Sequence, residues 1–297
     1  MKINLNELDK LSGWDEIRFP PPDFLTHLNY TRALNNLSKN LILTSNLQIK
    51  KKISEHPSLV KKLNLIKLTL KSIDGEYRTI LKNPDFAELC VSWISVKSYY
   101  LIFNLLLILD YLITGQESSF NLSHEGVIKR FKEYLTKNCL SFDKKIFNTN
   151  FPCSKIIKLK VQPGANIKVM NFSLKERVVQ ILKKIIDYKL EEFKIKKGIK
   201  NFRYRKDREK REGFLNNNTV NLFEFFYCYR IKANYRDLEF LNKDISPSQF
   251  KEFYENYWGL AKNFINAFVP ILNKLAKIRL NRNLFKYVKT TYRTKFS

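Results

Sequence analysis

The sequence predicts an all-α fold, an antiparallel helical bundle with a basic helical insertion and a basic C-terminal tail. Three observations carry that expectation. From Trp93 the apolar residues Val96, Tyr99, Tyr100, Phe103, Leu106, Leu107 and Tyr111 recur at spacings of three and four, which gives a helix a wide apolar face. Two serine capping boxes, Ser173 with Glu176 and Ser246 with Gln249, announce helix starts, the second reinforced by Pro247 at the first helical position. Neither an internal repeat nor a series of alternating strands accompanies them.

In chain order, residues 1–40 read as an irregular arm and a first helix. Pro20, Pro21 and Pro22 stiffen the arm, and Leu28, Leu34, Leu37 and Leu41 supply the helical period. Residues 41–140 form the first part of the bundle. Leu47 to Leu70 is basic and amphipathic, with Lys50–Lys52 and Lys61–Lys62 on a polar side that is either a solvated face or a nucleic-acid surface, and Pro57 interrupts it. Asp74-Gly75 is expected to break the pattern before the long apolar helix, which turns at Gly115. A new helix starts at Ser123, where Gly126 replaces the acid of a complete capping box.

Residues 141–213 read as a basic inserted excursion, in which 148–164, with the β-like run Ile156–Val161, is a small hairpin or an irregular stretch, and a helix from Ser173 carries the inward stripe Val178, Ile181, Leu182, Ile185, Ile186, Tyr188 and Leu190. Asn216 to Asn218 serve as its closing linker. The second part of the bundle spans 214–275. Phe223, Phe226 and Tyr227 lie on one helix, and Phe250, Phe253, Tyr257, Phe264 and Phe268 on the last. Residues 276–297 are the basic tail.

Charge points to function. The 297 residues carry 54 Lys and Arg against 28 Asp and Glu, a net +26. Codon bias in an AT-rich genome accounts for part of the lysine, but solubility needs far less, so a polyanionic partner is expected. The run 194–211 holds ten Lys or Arg against two acids, with Phe202 and Tyr204 among them; cations interleaved with aromatics hold phosphates and stack on bases together. The bland alternative is an exposed helix or loop tethered by those few apolar residues. After Glu255 the chain has no acid. Nucleic-acid contacts are therefore expected at Lys194, Lys196, Lys197, Lys200, Arg203, Tyr204, Arg205, Lys206 and Arg208, and in the tail at Lys277, Arg279, Arg282, Lys286 and Lys289.

Several chemistries drop out. Cys90, Cys139, Cys153 and Cys228 form no C-x-x-C pair and only three histidines are present, so neither a metal site nor a disulfide framework is expected, and no cofactor. Gly164, Gly198 and Gly213 are isolated, so there is no phosphate loop. Glu191-Glu192 and Asp237/Glu239 do not make a paired-carboxylate centre. The run Leu101–Leu109 is short and contains Asn104, and residues 1–4 open no apolar leader; a cytoplasmic protein without membrane association is the expectation.

The order of signals resembles the HEPN superfamily, the higher-eukaryote-and-prokaryote nucleotide-binding helical domains. The matching residues are Trp93, Lys97, Tyr99, Tyr100 and Phe103, then Ser123, His124, Gly126, Val127 and Phe131, then Arg230, Ala233, Asn234 and Tyr235. The resemblance covers roughly 75–140 and 214–275. It implies a helical bundle, RNA as the nucleic acid, homodimerisation, and a role in bacterial defence or a toxin–antitoxin system. The Arg-x(4–6)-His motif of the ribonuclease members is absent. Asn104 stands at the place of the usual His after the aromatic helix, and Asn234 at the Asp of A-D-Y. A metal-independent endoribonuclease would need a non-standard centre in which His124, with Arg230 or Lys97, does acid–base work on an RNA 2′-hydroxyl. Otherwise His124 caps or packs its helix. A third expectation is an assembly protein whose basic surface meets an acidic partner protein.

Overall fold

The computed structural model describes residues 24–49, 51–160, 174–235 and 245–285. It is all-α, as expected, with ten α-helices and two small two-stranded sheets among those residues. In order these are α1 (Phe24–Ser38), β1 (Leu43–Ser45), α2 (Pro57–Lys82), α3 (Phe86–Thr114), a 3-10 turn (Glu117–Asn121), α4 (His124–Thr136), β2 (Leu140–Phe142), α5 (Lys145–Asn148) and β3 (Phe151–Pro152). There follow α6 (Cys153–Lys158), α7 (Leu174–Lys197), α8 (Arg205–Asn217), β4 (Thr219–Val220), α9 (Glu224–Tyr235) and α10 (Pro247–Leu280).

The organising element is α3, which α2, α4, α9 and α10 pack around. Its residues from Leu101 to Leu112 are almost all buried, which is why its sequence is apolar on every side. By length and composition this helix could cross a membrane, but 78% of its most apolar window is buried inside the fold. One charged group tolerates that setting: Asp110 accepts from Ser119 Oγ (2.5 Å), Arg130 Nη1 (2.9 Å) and Tyr134 Oη (2.5 Å), so its charge is paired and saturated. Gly115 ends α3 in the left-handed region at φ 74°. Trp93, expected on the apolar face, is 55% exposed, and Leu89 68%; they lie on the outer stripe of α3 that ends at Tyr100.

Several local breaks vanish under packing. Pro57 does not interrupt a helix; it opens α2 behind His56, whose Nδ1 accepts from Ser58 N at 3.2 Å. The helix then runs through Asp74-Gly75. Glycine costs a helix only about 1 kcal/mol, and the buried stripe Ile66, Leu70, Ile73 and Ile80 outweighs it. The hairpin or irregular stretch expected near Ile156 is helical as α6, whereas β3 pairs with β4 and β1 with β2, both antiparallel. Nor is 141–213 an excursion over its whole length. Phe142 and Phe147 pack on Phe264 with ring centroids 5.6 and 5.2 Å apart, inside the same apolar cluster as Phe131 and Phe268. The α7 stripe joins that cluster as well. Asn216 and Asn217 belong to α8 rather than to a linker.

The last capping box is present in full: Ser246 Oγ accepts from Gln249 N, and Gln249 Oε1 from Ser246 N. The box at Ser173 and the arm before Phe24 lie outside the described residues. Where α10 crosses α1, a Cβ on Gly259 would stand 2.7 Å from Asn35 Oδ1, and Asn35 is also bonded to Asn256 and Asn263. A Gly259→Ala variant should therefore lose about 1–3 kcal/mol of stability in urea denaturation, the ordinary cost of overpacking.

Candidate nucleic-acid interface

The basic run divides into a helix end, a loop and a new helix. Gly198 ends α7 at φ 62°, Ile199 tucks into the body at 7% exposure, and Tyr204 precedes α8. Phe202 is half-buried beneath Lys194 and Arg211, whose charges lie 5.9 and 6.0 Å from its ring centre. It tethers the loop rather than offering a stacking surface. Tyr204 is 72% exposed. Among the expected cations, Lys194 is bonded to Glu191 (2.9 Å), Lys196 to Glu125 (2.6 Å) and Arg205 to Glu209 (3.0 Å). Lys197, Lys200, Arg203, Lys206 and Arg208 are exposed, and their side chains make no ion pair among the described residues.

The tail differs from expectation. Arg279 is buried, and it donates from Nε to Leu112 O (2.9 Å), from Nη2 to Ile113 O (2.6 Å) and from Nη1 to Lys51 O (2.7 Å). Its charge satisfies carbonyls left over at the C-terminal end of α3, so it is a structural residue and no phosphate ligand. Phe285 is likewise core at 2% exposure. Arg282 pairs with Glu55 at 2.7 Å. With Lys277 it lines an open concavity of about 420 Å³. Lys286 and Lys289 lie outside the described residues. Lys196 reaches Glu125 beside His124, which contacts Tyr99, whereas Arg279 grips Leu112. Thirteen residues of helix separate those two levels of α3, about 20 Å at 1.5 Å per residue, so Lys196 and Arg279 are anchored at well-separated levels of that helix.

His124 and Arg230, distant in sequence, are brought together. His124 is the first residue of α4, behind Ser123, whose Oγ accepts from Gly126 N at 3.1 Å. Its ring lies 4.3 Å from that of Phe103, its Nδ1 is 2.8 Å from Tyr99 Oη and its Nε2 3.3 Å from Arg230 Nη1. A guanidinium has no acceptor, so Nε2 presents its lone pair to Arg230 and Nδ1–H donates to the tyrosine. Burial, then the charges of Arg230 and Lys62, hold the imidazole below its ordinary pKa of 6.5, so His124 is neutral at neutral pH. Arg230 is 9% exposed and its guanidinium lies 5.1, 5.8 and 5.5 Å from the ring centres of Tyr99, Tyr100 and Tyr227. Its Nη1 also donates to Tyr100 Oη at 3.4 Å. Its Nε is buried with no hydrogen-bond partner among the described residues.

Lys97, the alternative companion of His124, is not there; it pairs with Glu76 and bonds Ser72. The side chains of Asn234 and Tyr235 lie outside the described residues. Tyr227 and Lys62 were not expected at this place. Only the three-residue spacing of Tyr227 and Arg230 on one helix hinted at the first. Among the described residues no group of three or more His, Cys, Asp or Glu could hold a metal ion.

A depressed histidine makes a pH prediction with a definite sign. Below pH 6.5 the unfolded chain binds the His124 proton more readily than the folded one, so this residue subtracts stability as pH falls through 6.5. Thermal melts of the native protein and of His124→Gln should diverge in that direction between neutral and acid pH. Parallel pH profiles would remove the charge on His124 from the account.

No family model, no curated protein and no solved structure matches this chain.

Proposed function

We propose that the chain is an RNA-binding protein of the HEPN type, serving a bacterial defence or toxin–antitoxin system as that resemblance implies. One observation carries the binding: Lys197, Lys200, Arg203, Lys206 and Arg208 stand exposed on either side of the exposed Tyr204, without carboxylate partners among the described residues. Cations already paired inside the protein gain little from a phosphate, whereas these five are free to release counterions from one. Tyr204 offers a face to an unstacked base, which favours a single strand over a duplex. Anisotropy titrations with labelled single- and double-stranded RNA and DNA at two salt concentrations test the reading. Single-stranded RNA should bind most tightly, and more weakly at the higher salt.

The His124–Arg230 contact favours a second reading, a metal-independent endoribonuclease. A neutral imidazole with its Nε2 lone pair free of protons could accept the proton of a 2′-hydroxyl while Arg230 turns to the phosphate being attacked. RNA incubated with native protein and with His124→Ala decides: cleavage by the first alone supports this reading, and equal cleavage by both excludes the histidine.

A further inference from the structure

Arg230 is a buried cation with no counter-anion among the described residues. Its Nη1 makes two long bonds to neutral acceptors, and its Nε, sealed from water, makes none. No carboxylate among the described residues pairs with it. Two acids near the site, among the described residues, are already engaged: Glu192 accepts from Tyr227 Oη at 3.4 Å, and Glu125 holds Lys196. Tyrosine faces offset part of the desolvation cost, but cation–π contacts do not supply a full counter-charge. The start of α4 adds positive potential on the same side, since helix N-termini favour anions. Lys62 on α2 contributes a further positive charge at His124.

We propose that Arg230, with His124, forms a subsite for a single phosphate group, and that His124 takes up a proton as the anion enters. Guanidinium donors from Nε and Nη form a fork that fits phosphate oxygens in pairs. Once an anion docks on Arg230 beside His124 and displaces their 3.3 Å contact, the field that now opposes a proton on the imidazole favours one, and Nε2–H becomes a third donor to the phosphate. The charged and titratable groups around the site agree with that sense of change. Tyr99 and Tyr227 are held as neutral phenols by burial, and Lys62 and Arg230 are the cations facing the ring. The enclosed guanidinium suits a small anion or a chain end better than the backbone of a duplex. The source of the phosphate, free anion or RNA, rests on the binding reading above; the subsite itself does not.

The chain has three histidines, His27, His56 and His124, so the imidazole region of an NMR spectrum of the full protein resolves the question. The midpoint of His124 should lie below 6.5 in chloride and move upward in inorganic phosphate. Arg230→Gln should abolish that movement, and Arg230→Lys, which keeps the charge without the fork, should weaken it. Single-stranded RNA hexamers with a 5′-phosphate or a 5′-hydroxyl then separate the sources. A response to the first alone assigns a chain end, and a response to both assigns a backbone phosphate. Phosphate that shifts surface resonances while His124 stays put overturns the subsite even if RNA still binds. Loss of RNA binding with an intact His124 response sinks only the nucleic-acid reading. If Arg230→Gln does not fold, the native protein's response in phosphate decides alone.

Discussion

Replacing Lys197, Lys200, Arg203, Lys206 and Arg208 together by glutamine should weaken binding to single-stranded RNA on the order of a thousandfold at about 0.1 M salt. Each phosphate contact on a single strand adds about 0.7 to the slope of log affinity against log salt. Five contacts therefore account for about 3.5 of slope, and the variant should lose nearly all of that. The melting temperature should hardly change, because the five side chains are exposed and outside the ion pairs of the fold. By contrast, Lys194→Gln and Arg205→Gln should each cost much less RNA affinity, since Glu191 and Glu209 already hold those cations. An unchanged slope in the fivefold variant would show that the basic loop is solvated surface and nothing more.

Arg279→Ala should have the opposite profile, a large loss of stability with RNA affinity intact. Three carbonyls, Leu112 O, Ile113 O and Lys51 O, lose one charged donor. Hydrogen bonds to a charged group are worth about 1.5–3 kcal/mol each, and water recovers part of that, so a loss of about 3–5 kcal/mol is expected in chemical denaturation. Arg279→Lys should recover only a fraction, because one ammonium cannot span carbonyls on two different segments as a fork does. Weakened RNA binding by a stably folded Arg279→Ala would return this residue to the interface that its place in an acid-free tail suggests.

These two variants mark the boundary of what the sequence discloses. Signals that act within one or two turns were legible: the box at Ser246 and Gln249, the cap at Ser123, the stop at Gly115 and the period of α3. Signals that depend on distant partners were not. Nothing local distinguishes Arg279 from Arg282, yet one is buried against the end of α3 and the other pairs with Glu55 at the surface. Trp93 fits an apolar period as well as Tyr99 does, but α3 has neighbours on most sides, and the stripe they leave open is the one holding Trp93. Residues 141–152 look like a departure from the bundle because their apolar partners, Phe264 and Phe268, are more than a hundred residues away.

The candidate site divides in the same manner. His124 and Arg230 were singled out by type and position, but their contact spans 106 residues and exists because α4 and α9 both rest on α3. Its tyrosine walls come from α3 and α9 together, so no single stretch of sequence contains the enclosure. Exposed cations in the loop were legible as a group. Which of them are free required the positions of Glu125, Glu191 and Glu209.

Whether the basic loop is an RNA-binding surface is decided by the affinity of the native protein for single-stranded RNA as a function of salt. The expected result is a linear decline of log affinity with log salt and a slope near −3.5, the value for about five phosphate contacts. Affinity that is absent at low salt, or that does not change with salt, would contradict it.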